Sequence, residues 1–332
     1  MKSLFAVCLA AVYGLLMRLF FGFADGLLQV MSVAFIFIMP LGIGALTVRF
    51  SDQGRINSRV YCFFMPWLSS LALLAITIAV AIEGTICWIM AYPVFAIVAG
   101  IGGLIMRGYL LRQRRLMEIE IDDNALDGGK DFRNKGNLQV SLLLLLPLLV
   151  ALAESTIDFR PKEFSAYNTI DIQANDTTIW SNVTRVRDIS AAEDRSGINR
   201  LLGMPRPIRA ELDTLAVGGQ REAIFERGLV FHETVFEYEP LRRMAFSIKA
   251  NPDEIPPTAM DEHVVVGGKY FDVLEGRYAL EPLGNGRCRL HLSSRFVVST
   301  SFNFYSGLWA RWIMSDIQEN ILEVIKGRSE AH

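Results

Sequence analysis

The first 153 residues are mostly apolar, and this pattern stops abruptly at Glu154. Apolar runs occupy residues 4–23, 27–48, 60–82, 85–106 and 138–153. About 20 apolar residues are needed to cross the ~30 Å hydrocarbon core of a bilayer, and the first four runs meet that length. The fifth run gives only ~24 Å of helix, so it predicts either a fifth membrane span or a re-entrant or interfacial segment. The chain therefore divides into a membrane unit and a water-soluble unit.

The positions of arginine and lysine predict how the spans are oriented. Ten of the twelve Lys and Arg residues before residue 154 lie in two loops, 49–59 and 107–135, whereas the turns at Asp25 and Glu83 carry none. Cytoplasmic loops have an excess of positive charge, so we expect both loops and the N-terminus to be cytoplasmic. Five spans then place residues 154–332 outside, which in a bacterium is the periplasmic side of the inner membrane. The first run lacks a signal-peptide cleavage site, and we expect it to stay as a helix.

The apolar half contains a candidate internal repeat. Residues 42–49 (GIGALTVR) match residues 100–107 (GIGGLIMR) at an offset of 58, and the acid–glycine turn at Asp25 falls on the one at Glu83. Small residues are common in membrane helices because they allow close packing, so chance similarity is the alternative to duplication. Duplication predicts a four-helix bundle of two hairpins over 1–107, followed by a cytoplasmic linker at 108–137. Few ionisable groups lie inside the spans, which favours an anchor over a transporter.

Residues 154–332 have the pattern of an α+β domain. Polar and apolar residues alternate, as in half-buried strands, and glycine-containing turns separate the later strands. Asn175 and Asp176 are suitable N-caps for a helix, and a long amphipathic helix is predicted at 302–326. The predicted strands are residues 167–174, 208–217, 220–227, 229–238, 243–250, 270–281 and 287–299.

The order of these elements resembles that of a known superfamily. One strand, two helices, six antiparallel strands and a long C-terminal helix occur together with the fragments TTIWSNVTRVRDI, MAFSIKA, GRYALEPLGNGRCRLHLSSRF and WARWIMSDIQENILEVIKGRSE. In this the C-terminal half resembles the SRPBCC or START-like superfamily, in particular its polyketide cyclase/dehydrase and lipid-transport group. The resemblance implies a helix-grip fold, in which a curved antiparallel sheet grips the C-terminal helix around an apolar cavity for lipids, sterols or polyketides.

Strand alternation divides the side chains of this half into two faces and gives candidate cavity residues. His232 or Tyr278 would be the proton donor of an enzyme, although a lone histidine on a strand is more often structural. The carboxylates Glu222, Glu226, Glu233 and Glu237 alternate with apolar groups, so we expect them to face solvent. The candidate ligand-binding residues are His232, Thr234, Phe236, Tyr270, Tyr278, Leu292, Ser294, Phe296, Leu308 and Trp312.

Composition narrows the possible partners. Residues 154–332 hold 21 Lys and Arg against 26 Asp and Glu, and an acidic domain has no electrostatic reason to bind nucleic acid. Neither a Cys/His metal spacing nor a disulfide framework is present, and no cofactor is implied. The sequence predicts a membrane-anchored binding protein for a lipid or other apolar small molecule. A cyclase or dehydratase acting on a hydrophobic substrate, or a protein-interaction module, is the alternative, and the oligomeric state is not indicated.

Overall fold

The computed structural model divides the chain into two compact units, Met1–Asp158 and Phe159–His332. The structure describes residues 2–23, 31–80, 82, 85–124, 135–157, 159–251 and 265–331. The boundary between the units lies a few residues after the predicted one at 154.

In its described residues the first unit consists of helices joined by turns and loops, such as residues 50–58. Three helices there are long and apolar enough to cross a membrane, namely Lys2–Phe23, Arg59–Ala79 and Ile86–Leu116. Two further apolar helices, Ala34–Arg49 and Leu144–Glu154, are shorter. The complete elements are α1 (Lys2–Phe23), a π-helical turn (Ala34–Ile38) that continues into α2 (Met39–Arg49), α3 (Arg59–Ala79), α4 (Thr85–Asn124) and α5 (Lys135–Glu154).

The predicted boundaries differ from the observed ones in two places. The second apolar run was expected to start as a helix at residue 27, but the described helix begins at Ala34, and residues 24–30 lie outside the described part. The predicted linker at 108–137 is largely helix at its start, because α4 continues to Asn124. Leu, Arg, Gln, Met and Glu dominate this extension, and all of them favour helix. Residues 125–134 of the predicted linker are outside the described part.

Two glycines bring α2 and α4 into backbone contact. A Cβ atom on Gly44 would collide with the carbonyl oxygen of Ala99, and a Cβ atom on Gly102 would collide with that of Leu41. The contacts are reciprocal at the offset of the sequence repeat, since 44 + 58 is 102 and 41 + 58 is 99. In each repeat the same glycine position therefore contacts the same backbone carbonyl position of the other repeat. Duplication of a hairpin would produce this arrangement, and the internal repeat stays a prediction.

The end of α5 is hydrogen-bonded to the beginning of the second apolar helix. The Glu154 carboxylate accepts the backbone N–H groups of Val33 at 2.9 Å and of Ala34 at 2.7 Å, and Ser32 Oγ accepts that of Phe35. The first N–H groups of a helix have no partner within it and attract negative charge. At the far end of α2, Arg107 of α4 donates to the carbonyl oxygen of Ile56. Glu154 and Arg107 are therefore at opposite ends of α2.

The second unit is built on one antiparallel sheet. Within the described residues it has eight strands in the order β1-β8-β7-β6-β5-β4-β3-β2, and it is bent by bulges in β3, β5 and β7. Its elements are β1 (Lys162–Ile172), α6 (Asp176–Thr184), β2 (Arg185–Val186), α7 (Ile198–Leu201), β3 (Pro207–Leu212), β4 (Gln220–Phe225), a 3-10 turn (Glu226–Gly228), β5 (Val230–Glu239), β6 (Arg243–Lys249), β7 (Phe271–Gly284), β8 (Arg287–Val298) and α8 (Asn303–Glu330).

The long helix α8 lies across the concave face of this sheet. Leu322 and Ile325 of α8 are almost fully buried against Leu290 of β8. The helix α6 starts at Asn175, whose side chain accepts the N–H of Thr178 at 2.7 Å, as the sequence predicted. The predicted order of elements and the antiparallel sheet are therefore observed, and the structure adds the two-residue strand β2.

The close approach of α2 and α4 gives a test of the bundle. Gly44→Ala places a methyl group against the Ala99 backbone, and because backbone cannot move aside, we expect a loss of about 1–3 kcal/mol of stability. The measurement is thermal unfolding of the full-length protein in detergent. Gly108→Ala on α4 is the matched control, since a Cβ there meets nothing within 4 Å, and alanine is the better helix former. Equal melting temperatures for the two variants would contradict this packing.

Candidate functional site

A cavity of about 130 Å³ lies between the concave face of the sheet and α8. Most of its lining is apolar, including Phe225, Phe231 and Phe271 from the strands and Ile313 and Met314 from α8. An apolar protein cavity of about 150 Å³ is large enough for benzene. In the state described here the cavity therefore has room for a small ring system or a short branched chain, and for only part of a lipid.

The segment between β2 and β3 closes one side of the cavity with Ile189 and Met204. It is attached to the end of α8, where Arg328 Nε donates to Glu193 Oε1 at 2.7 Å. Arg328, together with hydrogen bonds from Ser190, lowers the pKa of Glu193 to about 2, against a smaller opposing effect of burial. The ion pair therefore holds this side of the cavity at neutral pH.

Two charged side chains are buried inside this apolar lining. Arg221 of β4 and Glu233 of β5 are directly opposite each other in the strand register, and each is 4% exposed. Arg221 Nη1 is 2.5 Å from Glu233 Oε2. Burying a charge is costly unless it is paired, so each residue requires the other. The pair is therefore a charged group in a cavity lining that is otherwise mostly apolar.

The remaining surface of the guanidinium is largely covered by two rings. Its Cζ atom lies 5.1 Å from the ring centre of Phe246 and 6.0 Å from that of Tyr278. Such positions attract a cation to the ring face. One donor is left over, because Arg221 Nε is buried and has no hydrogen-bond partner in the part of the chain that the structure describes.

Burial and charge act in opposite directions on the titratable groups of this site. Burial raises the pKa of Glu233, and the positive charge of Arg221 partly reverses that effect. Burial also raises the pKa of Tyr278, so its phenol is neutral at physiological pH. Arginine stays protonated in proteins. The site therefore contains a cation with its counter-ion, and a neutral hydroxyl.

A second polar group near the cavity is already satisfied by the protein. Gln318 of α8 donates to Ser294 Oγ at 2.8 Å and to the carbonyl oxygen of Ala166, and accepts from Asn168 Nδ2 at 2.9 Å. These bonds join α8 to β8 and β1. Their effect is to position the helix over the cavity.

The structure places the predicted site residues on and near β7 and β8 in different surroundings. Tyr278, Leu292 and Ser294 line the cavity. Phe296 is fully buried in the adjoining core, where its ring stacks on Phe164. Tyr270 is also buried, just before β7, but is outside the cavity lining.

The predicted face of β5 is corrected by the structure. The side chain of His232 is 51% exposed, Phe236 is 45% exposed, and Thr234 hydrogen-bonds Gln220 at the surface. The inward residues include Phe231 and Glu233 instead, so the expectation that Glu233 faces solvent was wrong. Both faces of β5 carry apolar residues, and alternation could not choose between them. A bulge between Val235 and Glu237 then changes the phase along the strand.

The predicted face of α8 is corrected in its first half. Leu308 and Trp312 are 54% and 56% exposed, and Ile313 and Met314 face the cavity. The first three turns of α8 carry two apolar stripes, and the sequence alone does not say which one the sheet covers.

Arg221 and Glu233 are the site residues that the sequence analysis missed. The available signal was the phase of β4, in which Arg221 alternates with the apolar residues Ala223 and Phe225. A charged residue in the apolar phase of a strand indicates a buried partner. The opposing residue on β5 is Glu233.

Comparisons with known proteins concern the C-terminal half. No protein-family model matches the chain, and no curated protein matches it. A START superfamily protein from Mycobacterium smegmatis is similar at 16% identity over 50% of this chain and 97% of that chain, with a TM-score of 0.33. The Zhui aromatase/cyclase from Streptomyces sp. R1128 is similar at 14% identity over 51% of this chain and 94% of its own, with a TM-score of 0.32. Solved structures of the START-like type are thus among the neighbours of this half.

Dependence of the two buried charges on each other can be measured. Arg221→Met or Glu233→Met alone leaves an unpaired buried charge, and we expect each to cost about 3–5 kcal/mol. The double replacement removes both charges, and we expect it to cost less than either single change. Thermal unfolding of the full-length variants gives the comparison.

The exposed pair Glu239 and Arg243, 2.8 Å apart at the surface, is the matched control, and its single replacements should leave the melting temperature nearly unchanged because solvent screens exposed pairs. Additive losses from Arg221→Met and Glu233→Met would show that the two charges do not depend on each other.

Proposed function

We propose that the protein is a membrane-anchored binding protein for an apolar small molecule, carried or sensed beside the bilayer. The cavity between the sheet and α8 carries the proposal, because it is lined mostly by apolar side chains and holds a few buried polar groups. Small-molecule sites have this composition. At about 130 Å³, the cavity favours a compact molecule or the end of a longer one.

Filling the cavity tests this proposal. Ala223 of β4 faces the cavity, and Ala223→Phe should remove most of the space for a ligand. Full-length protein is extracted from cells in a membrane-derived polymer disc, so that detergent does not occupy the cavity. Bound apolar molecules are then identified by mass spectrometry. We expect a defined molecule with the wild-type protein and at least a tenfold smaller amount with Ala223→Phe.

The neighbouring residue provides the matched control. Glu222 is exposed on the outer face of β4, so Glu222→Phe adds the same ring outside the cavity and should keep the wild-type amount. The same molecules in equal amounts from all three proteins would mean that they are bound elsewhere, and would reject the cavity as the site.

The proposal includes five spans, a cytoplasmic N-terminus and a periplasmic C-terminal unit in a bacterial inner membrane. The charge distribution of the loops supports it, and so do the hydrogen bonds of Glu154. These bonds hold the C-terminal end of α5 beside the N-terminal end of the second apolar helix, whereas Arg107 lies at the other end of that helix. The end of α5 is therefore on the side of the bundle away from Arg107, which favours a crossing helix over a re-entrant segment. The 20 residues of α5 give ~30 Å of helix. Its apolar residues 138–153 supply ~24 Å of this, a length that local thinning of the bilayer accommodates.

Reporter fusions test this orientation. A phosphatase active only outside the cytoplasm and a fluorescent protein that matures only inside it are each fused after His332. We expect phosphatase activity and no fluorescence. Fusions after Gly54, in the loop between α2 and α3, should give the opposite result. Fluorescence from the His332 fusion would reject five spans and leave four.

A further inference from the structure

The outward face of α8 changes character along the helix. Its first three turns expose an apolar stripe, made by Phe304, Leu308 and Trp312, and each of these side chains is more than half exposed. Residues four apart lie on the same face of a helix. Farther along that face the exposed residues are Glu319 and Glu323. A contiguous apolar patch at a protein surface marks an interaction site, and here it is confined to the first half of α8.

The stripe begins where the chain arrives from the last apolar helix. Asn303 Nδ2 donates to the carbonyl oxygen of Arg160 at 3.4 Å, so the first turn of α8 lies beside residue 160. Residue 160 follows Glu154, the last residue of α5, by six positions. A chain of that length reaches at most about 20 Å. The proposed membrane anchor therefore keeps the start of the stripe close to a bilayer surface, whatever orientation the C-terminal unit takes.

Basic side chains lie at the same end of α8. The ring of Phe164 packs against Gly307 of α8, where a Cβ atom would collide with it. Lys162 Nζ and Arg311 Cζ are each 5.6 Å from the centre of that ring. Glu163, the carboxylate next to Lys162, already accepts a bond from an arginine of β8 at 3.0 Å. The edge of the stripe therefore carries positive charge, which attracts anionic lipid head groups.

A bilayer fits this combination better than a second copy of the chain. Tryptophan is enriched at the membrane–water interface, and helices with an apolar face and basic residues bind there. Three partly exposed side chains present less than the ~800 Å² that each partner of a stable protein interface buries. A tethered domain, in contrast, meets its own membrane at a high effective concentration, so a small surface is sufficient.

We propose that the apolar stripe of α8 lies in the head-group region of the membrane that anchors the chain, with Lys162 and Arg311 at the lipid phosphates. This inference rests on the membrane anchoring in the proposed function and goes beyond it, since an anchor alone leaves the C-terminal unit free to turn. On the other side of the same helical turns, Ile313 and Met314 line the cavity. Docking therefore holds the cavity about one helix diameter, ~10 Å, from the lipid surface.

Photo-crosslinking identifies what the stripe contacts. A phenylalanine analogue that carries a benzophenone replaces Leu308 in the full-length protein, which is reconstituted in vesicles of phosphatidylethanolamine and phosphatidylglycerol. The matched control carries the same analogue in place of Glu323, which is exposed on the same face of α8. We expect lipid adducts, measured by mass spectrometry, to be about tenfold more abundant from position 308 than from position 323.

A second change separates docking from simple proximity to the membrane. Trp312→Glu, added to the protein with the analogue at position 308, should lower the adduct yield roughly fivefold, because a charge resists transfer out of water. Glu323→Gln in the same protein should leave the yield unchanged. Vesicles of phosphatidylcholine alone should give about threefold fewer adducts, because they lack the anionic lipid. An equal yield in those vesicles would overturn the role of Lys162 and Arg311.

The remaining outcomes separate this inference from the anchoring on which it rests. Equal yields from positions 308 and 323, or no effect of Trp312→Glu, would overturn the docking. Crosslinked dimers in place of lipid adducts would identify a second copy as the occupant and would overturn it as well. Flotation of the same vesicles on a density gradient tests the anchoring. Protein that floats without lipid adducts overturns the docking alone, whereas protein that does not float overturns the anchoring and, with it, this inference.

Discussion

The C-terminal unit depends on the packing of one helix against the concave face of a strongly bent sheet. A sheet with one apolar face must cover that face, and here α8 supplies most of the cover. The bonds from Gln318 to Ser294 and Ala166 fix where the helix lies. Because a straight helix does not fill a curved face completely, a cavity remains between them. The same packing therefore provides both the stability of the unit and its internal space.

The charged pair in that space is difficult to explain by stability alone. Replacing a buried ion pair by apolar residues is often neutral or stabilising, so Arg221 and Glu233 give the fold little that two methionines would not. What they add is polarity at a defined position. The rings of Phe246 and Tyr278 restrict the guanidinium, so the charged pair is held in one arrangement inside the apolar lining.

The sequence predicted the elements of both units better than the faces that they bury. On β8 a single phase is apolar, and Leu292 and Ser294 were correctly placed in the cavity. On β5 both alternating sets of side chains contain apolar residues, so His232 was assigned to the wrong face. The bulge between Val235 and Glu237 also changes which set faces inward along the strand. Bulges depend on pairing with distant strands, which the local pattern does not contain. The close contact at Gly44 agrees with the general expectation that small residues let membrane helices pack closely.

The reciprocal contact between α2 and α4 has a consequence for how the bundle is held together. If the proposed duplication is correct, two copies of one hairpin that offer Gly44 and Leu41, or their equivalents, to each other have the geometry of a two-fold homodimer. Separate hairpins would associate only as far as their concentration in the membrane allowed. Joining them in one chain gives each a partner at a high effective concentration. On this proposal, formation of the bundle is independent of how many copies of the protein the membrane contains.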